Sequence, residues 1–232
     1  MVTSWDGTLK VWELERAHAM ATLVGHTDGV TACAVTSDGR YVVSASRDET
    51  LKVWELGSGR AVATLQSHTD WVIACAVTPD GRHVVSASMD GTLKLWELSS
   101  GRVVATLTDR TFGVTACAMT PDGRRVVSAS YDGTLKVWEL ESGRAVGTLA
   151  GHTHDVTACA VMPDGRHVVS ASYDQTLKVW DLATYTCRVT HRGDAGYLTV
   201  AVSATTVAAG DSSGAVWFLD VPSSMASPQP QG

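Results

Sequence analysis

Apolar residues along this chain come in short bursts, and the bursts return on a fixed beat. The stretch VVSASYDGTLKVWEL at 126–140 recurs as VVSASRDETLKVWEL at 42–56, VVSASMDGTLKLWEL at 84–98 and VVSASYDQTLKVWDL at 168–182. A clipped copy, MVTSWDGTLKVWEL, opens the chain, and a worn one, VAAGDSSGAVWFL, occupies 207–219. Trp12, Trp54, Trp96, Trp138 and Trp180 stand 42 residues apart, and Trp217 follows after 37. Self-similarity at such a period means a repeat architecture.

VVSAS and TLKVWEL are short and rich in β-branched residues, which predicts two strands. The xDG or xDE between them predicts a tight turn, hence a hairpin. A run such as ACAV precedes the hairpin and RAVATL or RVVATL follows it, so each period predicts four short strands. Helix-length amphipathic patterns and crossover helices are missing. Val, Ala, Cys and Leu fall on both faces of the strands, and a sheet apolar on both faces must be covered on both. Identical four-stranded sheets set radially satisfy that, each covered by its two neighbours. The small residues of TACAV and TACAM suit the innermost strand, where sheets converge. The pattern predicts an all-β propeller of four-stranded antiparallel blades.

The punctuation resembles the WD40 repeat family over about residues 1–221: Gly-His before the inner strand (Gly25-His26, Gly151-His152) and a Trp-acid pair ending the third (Trp54-Glu55, Trp180-Asp181). The 42-residue period and the PDGR turn look like repeats of large bacterial and some fungal signalling proteins, where the propeller is the sensor or scaffold beside a kinase, protease or STAND-type NTPase. The resemblance implies a partial repeat at 1–14, full repeats at 18–56, 60–98, 102–140 and 144–182, and a degenerate repeat at 185–221. Inner strands are then expected near Val30, Val72, Val114 and Val156. The Pro/Ser-rich segment 222–232 reads as a disordered tail.

That makes about five to six blades, with four complete, one lacking its outer strand and one its inner strand. Three readings remain open. The chain is part of a longer protein, which is favoured; or it closes as an irregular six-bladed ring; or its open edges pair with other copies.

Composition narrows the classes. Eighteen basic against 24 acidic residues give −6, without the basic excess of a nucleic-acid binder. No apolar run approaches a membrane span and the start is no secretion signal, so a soluble cytoplasmic domain without membrane contact is expected. Cys33, Cys75, Cys117 and Cys159 share one inner-strand position. They read as small core residues in a reducing compartment rather than a disulfide framework.

His26, Ser44 and Asp48, then His68, Ser86 and Asp90, then His152, Ser170 and Asp174, are the residue types of a hydrolase triad. No copy is singled out, however, and nothing marks an oxyanion hole. The resemblance implies instead a buried structural network. In it the turn Asp holds the histidine, and a serine links toward Trp54, Trp96 or Trp180. Whether Ser44 or Ser46 makes the link stays open, since both face one side. The third full repeat has Asp109-Arg110 where Gly-His belongs. The last has His191-Arg192-Gly193-Asp194, with Val207 and Ala209 replacing the serines. Both blades are expected to lack the network and to be the least stable.

Function is expected where near-identical repeats disagree. The residue before the turn Asp is Trp5, Arg47, Met89, Tyr131, Tyr173 and Gly210. The residue before the inner-strand Val is Gly29, Trp71, Gly113 and Asp155, and the one after it is Thr31, Ile73, Thr115 and Thr157. The family's geometry implies that these line one rim. Trp5, Arg47, Trp71, Ile73, Met89, Tyr131, Asp155 and Tyr173 are therefore the expected partner-binding residues of a non-catalytic module that takes a protein or peptide. Neutral drift would more often give Ser, Lys, Glu or Asn. The turn arginines (Arg40, Arg82, Arg124, Arg166) sit two residues from aspartates and read as a self-neutralised surface. His152-Thr153-His154 is too short for a zinc site, and no cofactor is expected.

Overall fold

A computed structural model describes residues 2–13, 18–108 and 112–221. The Asp109-Arg110 departure and the segment 222–232 lie outside them. Every described regular element is a strand, and the strands pair into six antiparallel sheets. The first holds β1 (Val2–Thr3), β2 (Thr8–Glu13) and β3 (His18–Val24). The second holds β4 (Val30–Val35), β5 (Tyr41–Ser46), β6 (Thr50–Glu55) and β7 (Arg60–Gln66). The third holds β8 (Val72–Val77), β9 (His83–Ser88), β10 (Thr92–Glu97) and β11 (Arg102–Thr108).

The fourth is β12 (Val114–Met119), β13 (Arg125–Ser130), β14 (Thr134–Glu139) and β15 (Arg144–Ala150). The fifth is β16 (Val156–Val161), β17 (His167–Ser172), β18 (Thr176–Asp181) and β19 (Thr186–Arg192). The sixth is β20 (Tyr197–Val202), β21 (Thr206–Asp211) and β22 (Val216–Asp220). These are up-and-down meanders, the blade topology that the repeat predicts. The chain divides after Val114 into two compact units.

Within each unit, sheet covers sheet. In the first, Leu9 and Leu23 pack on Val30, Val42 and Trp54 of the next sheet. Val43, Leu51, Val53 and Leu65 in turn pack on Val72, Val84 and Trp96. In the second, Val127, Leu135, Val137 and Leu149 meet Val156, Val168 and Trp180. Trp54, Trp96 and Trp180 thus each lie against leucines of the preceding blade, and truncating one to alanine costs about 3–5 kcal/mol.

A bulge sits at the start of the inner strands, between Val30 and Ala32 and between Val156 and Ala158. A bulge re-aims the extra side chain. Here it turns the threonine hydroxyl to the neighbouring sheet: Thr31 donates to the Val72 carbonyl (2.6 Å), Thr115 to that of Val156 (2.5 Å) and Thr157 to that of Tyr197 (2.8 Å). Ile73 is the half-buried member of this series without a hydroxyl.

The last sheet departs from the expected alignment. Tyr197 pairs with Asp211 as Val30 pairs with Ser46, and Ala209 pairs with Trp217 as Ser44 pairs with Lys52. The inner hairpin is two residues shorter, so Asp211 stands in the place of Ser46 and Trp217 in the place of a lysine. Leu219 occupies the indole position. Val207 therefore replaces Val42 rather than a serine. The rim equivalent is Ser212, whose N–H donates to Gly196 as Arg47 donates to Gly29, and not Gly210.

Candidate functional site: a buried strut and an aromatic rim

The polar residues of each good repeat form one chain of hydrogen bonds. Trp54 Nε1–H donates to Ser44 Oγ (2.8 Å), Ser44 donates to His26 Nε2 (2.7 Å), and His26 Nδ1–H donates to Asp48 Oδ2 (2.7 Å). The same chain runs Trp96–Ser86–His68–Asp90 and Trp180–Ser170–His152–Asp174, with every link at 2.7–2.8 Å. Ser44 makes the link. Ser46 instead donates to the Asp28 and Gly29 carbonyls and so ties the loop before the inner strand.

Burial pushes the His26 and His152 imidazoles down in pKa, against the pull of their aspartates, which keeps them neutral as the chain requires. Burial pushes the Asp48 carboxyl up, but hydrogen bonds from Thr50, His26 and Thr27 outweigh it and hold it below the ordinary value. Asp174 is held at about 2 by donors from Thr176, Thr153 and His152, which prevail over the same burial effect. The serine hydroxyls are fully buried beneath the indoles. No approach to them exists for a substrate, so the three-residue clusters are struts, not nucleophiles.

In the fourth sheet Trp138 Nε1–H donates to Ser128 (2.9 Å), while the histidine position of that copy lies outside the described residues. In the sixth sheet the strut is replaced. Gly193 stands at the histidine position, and the fully buried ring of Tyr197 fills the space. A methyl added at Gly193 would come within 2.5 Å of Tyr197 Oη. Trp217 Nε1–H donates straight to Asp211 Oδ2 (2.7 Å). Among the described residues, the buried Tyr197 Oη and His191 Nε2 have no hydrogen-bond partner.

The rim residues interlock between successive blades. In the first unit the Arg47 guanidinium lies over the Trp5 ring (3.8 Å to its centre) and over the Trp71 ring (4.2 Å). Met89 lies over Gly113, where an added methyl would meet its sulfur at 3.1 Å. Trp5 is 76% exposed and Trp71 40%, so both indoles present apolar surface to solvent while their far faces pack on the cation. Among the described residues the Arg47 side chain has no carboxylate partner.

In the second unit Tyr131 and Tyr173 are exposed, and His154 meets the Tyr173 ring edge-on at 6.0 Å. The Asp155 N–H donates to His154 Nδ1 (2.9 Å). His152 and His154 of the His-Thr-His run diverge, one into the strut and one to the surface. Among the described residues no group of three or more His, Cys, Asp or Glu side chains is placed to hold a metal ion. No described helix is long and apolar enough to cross a membrane.

A family model described as "IFT122 first beta-propeller" matches residues 1–218. The chain belongs to the WD40 β-propeller family. A segment of 43 residues, one repeat in length, is 46% identical to "Apoptotic protease-activating factor 1" of Danio rerio; it covers 18% of this chain and 3% of that protein. WD40 propellers are in general non-catalytic modules for protein–protein interaction, and the buried struts agree with that.

Within this WD40 chain, the sequence pattern singles out the residues that the hydrogen-bond chains join, but not the contacts among the expected rim residues. Arg47 and Trp71 belong to different blades, and no local spacing relates them. The Tyr197–Gly193 exchange was also missed, although the signal was present: a glycine at the histidine position beside an aromatic at the first inner-strand position.

Proposed function

We propose that this chain is a scaffold or sensor module that holds a peptide or protein segment on its rim, through Trp5, Arg47, Trp71 and Met89 in the first unit and Tyr131, Asp155 and Tyr173 in the second. The observation that carries this is the Arg47 guanidinium packed on two exposed indoles, its N–H edge without a hydrogen-bond partner among the described residues. Two aromatic faces held in place by a cation lose little freedom on binding, and Trp, Tyr and Arg dominate interface hot spots. Ile73 joins the proposed site as the apolar member of the bulge series. The exposed thiol of Cys187 and the four repeated inner-strand cysteines form no disulfide among the described residues, which suits a reducing cytoplasm. A repeat-length likeness to a much longer protein named for activating a protease supports reading the chain as the propeller of a larger signalling protein.

Quantitative co-purification from source cells tests the rim. Trp71→Ala, Tyr131→Ala and Tyr173→Ala should each weaken capture by about 2 kcal/mol or roughly 30-fold, with Tm within a few degrees of wild type. Capture unchanged in all three removes the rim reading.

A second reading is self-assembly through a blade edge. It is favoured by β22, an edge strand among the described residues, whose Val216 and Phe218 are 64% and 73% exposed. Light scattering over a wide concentration range separates the two, since a monodisperse monomer throughout excludes assembly.

A further inference from the structure

The repeats allow one part of the molecule to serve as a comparison for another. In the first unit a groove of about 1040 Å³ runs between the second and third sheets. Its walls include Tyr41, Val53, Val62, Ala63, Leu98 and Gly101. It lies at the PDGR and SGR turns, at the opposite ends of the strands from the rim. Every one of these residues has a counterpart 84 positions later in the second unit, between the fourth and fifth sheets. There the counterpart of Gly101 is Tyr185, and the counterpart of Ala63 is Gly147.

Tyr185 fills its groove. Its ring lies so close over Gly147 that a methyl there would overlap Cε1, and it packs on the cluster of Val137, Leu149 and Leu182. It does so from φ +57°, a backbone conformation that tyrosine rarely adopts. Ring packing in the groove must offset that unfavourable backbone. Gly101 holds the same left-handed conformation at φ +68° with no side chain to insert. The Ala63 methyl narrows the floor of the first groove relative to Gly147, so a ring there sits one methyl further out.

We propose that the groove between the second and third sheets is a docking site for an aromatic side chain, Tyr or Phe, of a peptide partner, and that Tyr185 is the built-in occupant of the equivalent groove in the second unit. Val53, Ala63 and Leu98 take the ring faces, and the phenol or ring edge points to the polar part of the groove beside Arg82 and Glu97. The site is independent of the rim and stands whether or not the rim binds a partner.

The test uses p-cresol, the tyrosine side chain as a free molecule, titrated into the whole chain carrying 13C-labelled methyl groups and read by NMR. In wild type, shifts are expected at the Val53, Val62, Ala63 and Leu98 methyls. Tyr185→Gly should add a second set at Val137, Val146 and Leu182. The combined variant Ala63→Gly and Gly101→Tyr, which rebuilds the occupied groove, should weaken the first set at least tenfold while the buried Trp54 and Trp96 indole N–H signals stay in place. Should Gly101→Tyr prevent folding, the Tyr185→Gly gain decides by itself. Absent shifts at the first set in wild type, shifts confined to rim residues, or a Tyr185→Gly variant without the second set would overturn the proposal.

Discussion

The Arg47 guanidinium carbon lies 4.2 Å from the centre of the Trp71 ring, a contact between residues of adjacent blades. Trp5 packs on the same cation at 3.8 Å. Arginine on an indole face is attracted by the ring quadrupole, by about 0.5–2 kcal/mol depending on exposure. A double-mutant cycle with Arg47→Leu and Trp71→Leu should return a coupling energy in that range from urea unfolding. Additive effects would show that the stack is accidental.

Ser44 and Ser46 should separate sharply in character. Ser44→Ala removes the acceptor of the Trp54 N–H and the donor to His26 Nε2, leaving two buried polar groups unpaired. The expected loss is about 2–3 kcal/mol, seen as a lower urea midpoint. Ser46→Ala frees the Asp28 carbonyl and the part-buried Asp48 N–H, while the Gly29 carbonyl keeps its bond from the Arg47 N–H, for about 1 kcal/mol. Equal losses would contradict the assigned strut.

Acid should weaken the protein over two successive pH windows. The His26 and His152 pKa values are lowered from 6.5 by folding, so below that pH the unfolded chain takes up protons which the folded chain refuses. Their contribution is complete above about pH 6.5 and is lost as pH falls through the folded values. The carboxyls of Asp48, Asp90 and Asp174 are lowered from 3.8, so their contribution is lost from there downward, for Asp174 until about 2. Tm measured by circular dichroism should therefore be level above about pH 7 and fall on acidification, and a rise between about pH 7 and 5 would refute the neutral-histidine strut.

Where the fifth sheet meets the sixth, the protein should tolerate, and gain from, losing its orphaned polar atoms. His191 pairs with Leu177 as Leu65 pairs with Leu51, so His191→Leu restores the repeat's own core residue. His191→Leu and Tyr197→Phe each remove a buried atom without a partner and should raise stability by about 1 kcal/mol. Gly193→Ala should instead destabilise by crowding Tyr197 Oη, and Tyr197→Phe should relieve part of that loss. Calorimetry on the four proteins checks both signs.

The repeat period, strand pattern and turn residues made the blades legible, and the Gly-His and Trp-acid marks pointed to the strut. The worn repeat was misaligned for a physical reason. Asp211 and Trp217 keep the six-residue spacing of Asp48 and Trp54, but a hairpin shortened by two residues moves them to the places of Ser46 and Lys52. The groove at Gly101 was invisible because a glycine in a turn reads as turn chemistry, and its meaning appears only beside Tyr185.

What the sequence alone determined was local: strand, turn and the order of blades follow from short β-branched runs, turn residues and the repeat that strings them together. What the tertiary structure decided was which side chains meet across sheets: Ser44 rather than Ser46 under the indole, Arg47 on Trp71, and Tyr185 over Gly147. Those contacts depend on where bulges and neighbouring sheets aim each side chain, and no single strand carries that information.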